Sequence, residues 1–230
     1  MRLVFVPGFT QTAGAWDAVR AALPPDIETM ALDLPTGLDF PGTAAALRVI
    51  GGPGVYVGYS LGGRLCLRLA LDDPDAVEAL VLVSATPGIA DDADRAARRE
   101  SDEVLAREIE RDGADAFVAR WLTQPLFAGL STAAAGPRLG AGDEAVLVHE
   151  LRALGQGVQE PLWGRLEELD VPVLLVTGAD DTKYGAVADT MFERIDDCMH
   201  VTLDGGHALP LEQPDALAGA LMTFLHDISE

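Results

Sequence analysis

The chain reads as an α/β protein, a doubly wound parallel sheet of about six strands with a helical segment inserted after the fourth. Three observations carry that expectation. Short apolar runs such as Leu3–Val6, Val55–Tyr59, Val77–Val83 and Val173–Val176 lack the polar alternation of a half-exposed strand, as strands covered on both faces should. Turn residues and a helical stretch separate successive runs, and alternating strands and helices build parallel sheets. Between Pro87 and about Gly157 that alternation stops, and no apolar strand runs through the interval.

In order, Leu3–Val6 ends at Pro7-Gly8, and 9–14 is a loop. Ala15–Leu23 is helical until Pro24-Pro25. A strand is expected over about Ile27–Leu32, then a helix capped by Thr43 and leaving through Gly51-Gly52-Pro53-Gly54. Val55–Tyr59 runs through Gly-Tyr-Ser-Leu-Gly into a helix ending near Asp72-Asp73-Pro74, and Val77–Val83 is the fourth strand. Helices are expected over Asp91–Arg111, Ala114–Leu122 and Glu144–Leu154, with Ser131–Gly142 as a loop. Trp163–Leu169 is read as a helix, Val173–Val176 and Met199–Leu203 as strands, and Pro214–Ile228 as the closing helix. This divides the chain into a core of residues 1–86 and 158–230 and a cap of residues 87–157.

At 230 residues, 49% apolar, the chain is long enough for one domain with a full core. Its net charge of −21 argues against nucleic acid and anionic membrane surfaces as partners, because both would repel it. A local cluster of arginines can still receive an anion. Cys66 and Cys198 stand far apart with no C-x-x-C spacing, which points to neither a metal site nor a redox pair. No cofactor is called for. The start lacks the pattern of a secretory leader, and no run approaches a membrane span, so a cytoplasmic, soluble protein is expected. Oligomeric state is not legible.

The chemistry centres on Gly58-Tyr59-Ser60-Leu61-Gly62. A strand entering a helix through G-x-S-x-G places the serine on a sharp, strained turn that only glycines two residues to either side allow, and exposes its hydroxyl as a nucleophile. Ser60 then needs a base and a group to orient that base. His207 lies in a Gly-Gly-His loop between the last expected strand and helix, whereas His149 and His226 fall inside helical patterns and His200 at a strand start. The acid should follow a strand between serine and histidine, and Asp181 or its neighbour Asp180 meets that condition after Gly178, Asp181 being preferred. One of the two can instead cap the following helix. Two backbone N–H groups would complete an oxyanion hole, those of Leu61 and of Phe9 in the loop after the first strand.

Together these residues resemble the α/β-hydrolase fold over nearly the whole chain. Within it they resemble most the 2-succinyl-6-hydroxy-2,4-cyclohexadiene-1-carboxylate synthases of menaquinone synthesis. The resemblance rests on Gly8-Phe9-Thr10 with Trp16, Gly58–Arg64, the Arg-rich stretch Asp94–Asp102, Ile109–Gly113 with Phe117 and Trp121, and Gln124–Phe127. It continues through Leu151–Gly157, Pro161–Trp163, Asp181–Tyr184, Gly205–Ala208 and Leu211–Pro214. It implies a lyase rather than a hydrolase. Such enzymes expel pyruvate from a cyclohexene carboxylate after a histidine-activated serine removes a proton alpha to a carbonyl, with no acyl-enzyme. An anionic small-molecule substrate demands bidentate donors, for which the resemblance implies Arg64, Arg98, Arg152 and Lys183, with Tyr59 and Trp121 as pocket walls. Arg95, Arg98 and Arg99 share a charged helix whose face can equally be solvated. Pro7 stands where the family usually has histidine, and Leu34-Pro35-Thr36-Gly37 replaces its second glycine-rich turn. From the relay alone, a carboxylesterase or a carbon–carbon bond hydrolase is the alternative. A non-catalytic ligand receptor is the third class, disfavoured by the intact Ser60, Asp181 and His207.

Overall fold

A computed structural model describes residues 1–131 and 143–229. Six strands, β1 (Arg2–Val6), β2 (Glu28–Ala31), β3 (Gly54–Tyr59), β4 (Val77–Val83), β5 (Val173–Gly178) and β6 (Cys198–Leu203), form one parallel sheet in the order β2-β1-β3-β4-β5-β6. The apolar runs are apolar because both faces are covered. Val4, Val6, Tyr56, Leu80, Leu82 and Leu175 pack on one side with α2 (Phe40–Gly51) and α3 (Leu61–Asp72). Alternate residues Leu3, Phe5, Val57, Val81, Val83 and Val176 pack on the other with α1 (Asp17–Ala22) and the last helix, Pro214–Asp227. Burying one such side chain stabilises the fold by roughly 1.5–3 kcal/mol, so a charge at any of these strand positions would be severely disruptive.

Three local expectations change. Helix α2 begins at Phe40 rather than at Thr43, because Asp39 is its N-cap and accepts from Gly42 N at 2.9 Å. Pro41 fits the first turn, where its missing N–H costs nothing, and Thr43 is wholly buried inside the helix. Trp163–Glu168 is a 3₁₀ helix rather than a regular one, and Trp163 Nε1 anchors it to the Gly88 carbonyl at 2.8 Å. The helix that one of the two aspartates could cap runs over Thr182–Phe192, an extent the sequence did not mark. Its buried residues, Tyr184, Ala188 and Met191, form a stripe too thin to stand out in the sequence.

Between β4 and β5 lie α4 (Asp92–Asp112), α5 (Ala114–Trp121) and α6 (Glu144–Leu154), held together by a small separate cluster that includes Ala106, Ile109, Phe117, Leu147 and Leu151. The loop expected over Ser131–Gly142 lies, from residue 132 onward, outside the described residues. The remaining helices are α7 (Thr182–Phe192), α8 (Leu209–Glu212) and α9 (Pro214–Asp227). Both cysteines are free, Cys66 buried and Cys198 half-buried. Among the described residues no helix is long and apolar enough to cross a membrane, and no cluster of metal-ligating side chains occurs.

Candidate active site

The elbow forms where β3 meets α3. Ser60 has φ 50° and ψ −107°, a left-handed backbone unusual for a residue with a side chain. The strain is enforced from both sides. A Cβ at Gly58 would lie 2.6 Å from the Gly62 carbonyl oxygen, and one at Gly62 would run into the carbonyl oxygens of Val6 and Pro7. Ser60 N donates to the Val83 carbonyl at 2.9 Å, tying the turn to the end of β4.

Two further loops converge on it. A Cβ at Gly178 would collide with the Gly205 and Gly206 carbonyl oxygens, so glycine there lets the loop after β6 lie against the end of β5. That contact sets His207 beside Asp181. His207 Nδ1 is 2.6 Å from Asp181 Oδ2, and His207 Nε2 is 3.2 Å from Ser60 Oγ. The His207 and Asp181 side chains are each 2% exposed. The alternatives between the two aspartates are thereby separated in space, since Asp180 is exposed while Asp181 both meets the imidazole and caps α7 through Tyr184 N at 3.3 Å. Tyr184 and Tyr59 flank the imidazole, with ring centroids 4.5 and 5.4 Å away.

Glu212 holds this loop, accepting from Gly206 N at 2.7 Å and from Ala208 N at 2.9 Å, so the backbone on both sides of His207 is clamped by one carboxylate. The sequence contains Glu212 within a motif, but no spacing rule shows which backbone a glutamate will reach. On the other wall, Gly8 N donates to Gln11 Oε1 at 3.1 Å and shapes the loop carrying Phe9. Leu61 opens α3, so its N–H has no acceptor within the helix. Phe9 and Leu61 both line a cavity of about 260 Å³ with Ser60 and His207.

Of the other expected residues, Tyr59, Arg64, Arg98, Trp121 and Lys183 line the same cavity. Trp121 meets Phe9 edge-on at 5.3 Å. Arg64 is 6% exposed and already engaged, giving Nη1 to Gln159 Oε1 at 2.6 Å and Nη2 to the Leu154 carbonyl at 2.9 Å. Burial pulls its guanidinium down to about 10, well below the usual arginine range. Arg98 Nε is 2.7 Å from Asp102 Oδ1, and Lys183 Nζ stands 5.5 Å from the Tyr184 ring centre.

Arg152 requires correction as a pocket residue. It points away from the cavity and binds Glu103 Oε2 at 2.8 Å and Glu110 Oε1 at 2.7 Å, an arrangement that holds its own charge more firmly and pulls the Glu103 carboxyl down to about 2. The physical reason is helical phase. Leu151 and Leu154 take the buried stripe of α6, which turns residue 152 outward toward the acids of α4. The same phase brings in Glu150, which sequence reasoning missed because acids are rarely buried without partners. Tyr184 and Gln156 also line the cavity, with Gln156 Nε2 3.2 Å from the Tyr184 hydroxyl.

Comparison with known proteins places this geometry among relatives. A family model described as the alpha/beta hydrolase family matches residues 3–220. A Bacillus subtilis protein, provisionally named a 2-succinyl-6-hydroxy-2,4-cyclohexadiene-1-carboxylate synthase, is 37% identical over 179 residues, spanning 75% of this chain and 65% of that protein. The match thus covers slightly less than two thirds of that relative. The synthase of that name from Enterobacter sp. is 30% identical over 97% of this chain and 91% of its own length. Among solved structures, MenH from S. aureus superposes with a TM-score of 0.94 at 25% identity, covering 100% of this chain and 95% of the other. A thermophilic esterase from Thermogutta terrifontis, at a TM-score of 0.84 and 21% identity over 99% of this chain and 90% of the other, shares the fold.

Proposed function

Because the chain belongs to the alpha/beta hydrolase family, we propose that it is a lyase of the kind its relatives are named for, eliminating pyruvate from an anionic cyclohexene carboxylate. One observation carries the reading. In a chain of net charge −21, the cavity that holds the Ser60–His207 pair is also lined by Arg64, Arg98 and Lys183. A general acid–base site for a neutral ester has no need of that cationic wall, whereas a substrate bearing carboxylates does.

In this reading Ser60 is the reacting base. His207 Nε2 accepts the hydroxyl proton, and Asp181 holds the imidazole in the required tautomer and offsets its charge. Ser60 Oγ then removes the proton alpha to the substrate carbonyl. The N–H groups of Phe9 and Leu61 stabilise the negative charge that develops on the carbonyl oxygen, aided by the positive end of α3. The electron pair moves through the ring, the C–O bond to the pyruvyl group breaks, and the imidazolium returns its proton to the departing pyruvate. Serine and histidine end as they began, and no acyl-enzyme forms.

In this reading the described residues within 1–86 and 158–229 are the core that carries the relay, and those within 87–157 the cap that supplies Arg98 and Trp121. A water-soluble anionic substrate suits a cytoplasmic enzyme. Feeding the purified protein the enolpyruvyl substrate and following pyruvate tests the proposal: release well above the spontaneous background is expected, and release at background sinks it. The relay and its two amides also suit acyl transfer, so rapid turnover of p-nitrophenyl esters without pyruvate release would move the assignment to a carboxylesterase or carbon–carbon bond hydrolase. Ligand binding with neither activity would point to a receptor.

A further inference from the structure

Glu150 plays no part in that reaction, yet it is the only carboxylate among the described residues lining the cavity. It is 5% exposed. Buried carboxylates ordinarily face a cation or several N–H donors, but among the described residues none of the cationic side chains around the cavity pairs with Glu150. From α4, Arg98 is taken by Asp102, while Glu103 and Glu110 are taken by Arg152 on the outer side of α6. From α3, Arg64 is held by Gln159 and the Leu154 carbonyl. Lys183 on α7 stands over Tyr184, and His207 is bound to Asp181. On α6 itself, His149 and Glu144 line a different hollow with Arg152. The loop after β1 offers Glu150 only the backbone N–H of Thr10.

Two physical facts follow. Glu150 Oε2 is enclosed and has no hydrogen-bond partner among the described residues. Burial pushes the carboxyl up to about 8, with the Thr10 N–H opposing, so the neutral form predominates at pH 7. A neutral carboxyl carries one O–H donor. Glu150 lines the cavity and one of its oxygens has no partner, so that hydrogen bond is unmade, at a cost of about 1–3 kcal/mol.

We propose that Glu150 acts as a neutral acid that donates a hydrogen bond to a carboxylate oxygen of the bound substrate, fixing its orientation toward Ser60. A carboxylate acceptor is favoured over an ester or ketone because a hydrogen bond to an ionised group is roughly twice as strong. The neutral form matters because it adds a donor without adding a negative charge. The identity of the carboxylate rests on the lyase reading; the donor role does not.

Succinate, a bare dicarboxylate, serves as the probe. Its binding to the parent, Glu150→Gln and Glu150→Leu proteins is followed by calorimetry at about pH 7 and about pH 9, on either side of the Glu150 titration and below that of Arg64. The parent should bind about tenfold more tightly at the lower pH. Glu150→Gln keeps a donor and cannot ionise, so it should stay within about threefold of the parent at about pH 7 and lose the pH difference. Glu150→Leu should bind about tenfold more weakly at about pH 7, also without the pH difference. Leucine binding as well as the parent, glutamine keeping the full pH difference, or a parent that binds no succinate would each overturn the proposal. Glutamine is the near-isostere that keeps the test decisive if leucine folds poorly. Pyruvate release by the parent is read separately, so its absence removes the lyase reading while the succinate comparison still decides the role of Glu150.

Discussion

The sheet and the helices between β4 and β5 are built from opposite materials. β3 and β5 are buried at every position, whereas the 21 residues of α4 bury only Asp102, Ala106 and Ile109. The sheet holds its part of the site through backbone. Ser60 owes its position to Gly58, Gly62 and the Val83 carbonyl, and His207 owes its position to Gly178 and to the carboxylate of Glu212. The helical region acts through side chains whose direction depends on helical phase and on competing ion pairs. Glu150 and Arg152, two residues apart on α6, end on opposite sides of the pocket wall for that reason. The Ser60–His207 pair is therefore held by backbone on the sheet side, and the charged lining of the cavity is set by side-chain direction on the helical side.

Substitutions on the two sides should differ accordingly. The largest effect is expected at the elbow: Ser60→Ala should lower kcat by about 10³-fold or more while the thermal unfolding midpoint stays near that of the parent. A kcat within tenfold of the parent would remove Ser60 from the reacting group. Next is the clamp on the histidine loop. Glu212→Ala frees two backbone N–H groups and lets His207 drift from Ser60, so kcat should fall by roughly 10- to 100-fold with KM almost unchanged. A KM effect without a kcat effect would show that Glu212 does not position the base. The smallest effect is expected at Arg152, whose exposed pairs with Glu103 and Glu110 are screened by solvent and add little to stability. Arg152→Ala should leave kcat/KM within about twofold, and Arg98→Ala, measured beside it, should raise KM by about tenfold. Equal losses from the two would break the distinction between a cavity-lining arginine and an outer one.

Much of the sheet side was legible in the sequence because it depends on local rules. Two-faced burial makes a strand continuously apolar, a strained turn demands glycine at fixed offsets, and a base and an acid must follow strands. Strand number and the Ser60–His207–Asp181 arrangement were accessible on those grounds. The start of α2 was misplaced because two possible caps lie four residues apart, and only the observed hydrogen bond to Gly42 distinguishes Asp39 from Thr43. The extent of α7 went unmarked because its buried stripe is thin, although a cap at Asp180 or Asp181 was legible.

By itself, then, the amino-acid order determined the parallel sheet, the elbow at Ser60 and the residue types that can serve it, since each follows from spacing along the chain. Tertiary structure decided which aspartate meets His207, that Glu212 clamps the histidine loop, that Arg152 faces outward, and that a carboxyl at Glu150 is enclosed without a cation. Those outcomes depend on distances between residues far apart in sequence, and on whether burial or pairing prevails at each charge. Local spacing carries no information about either.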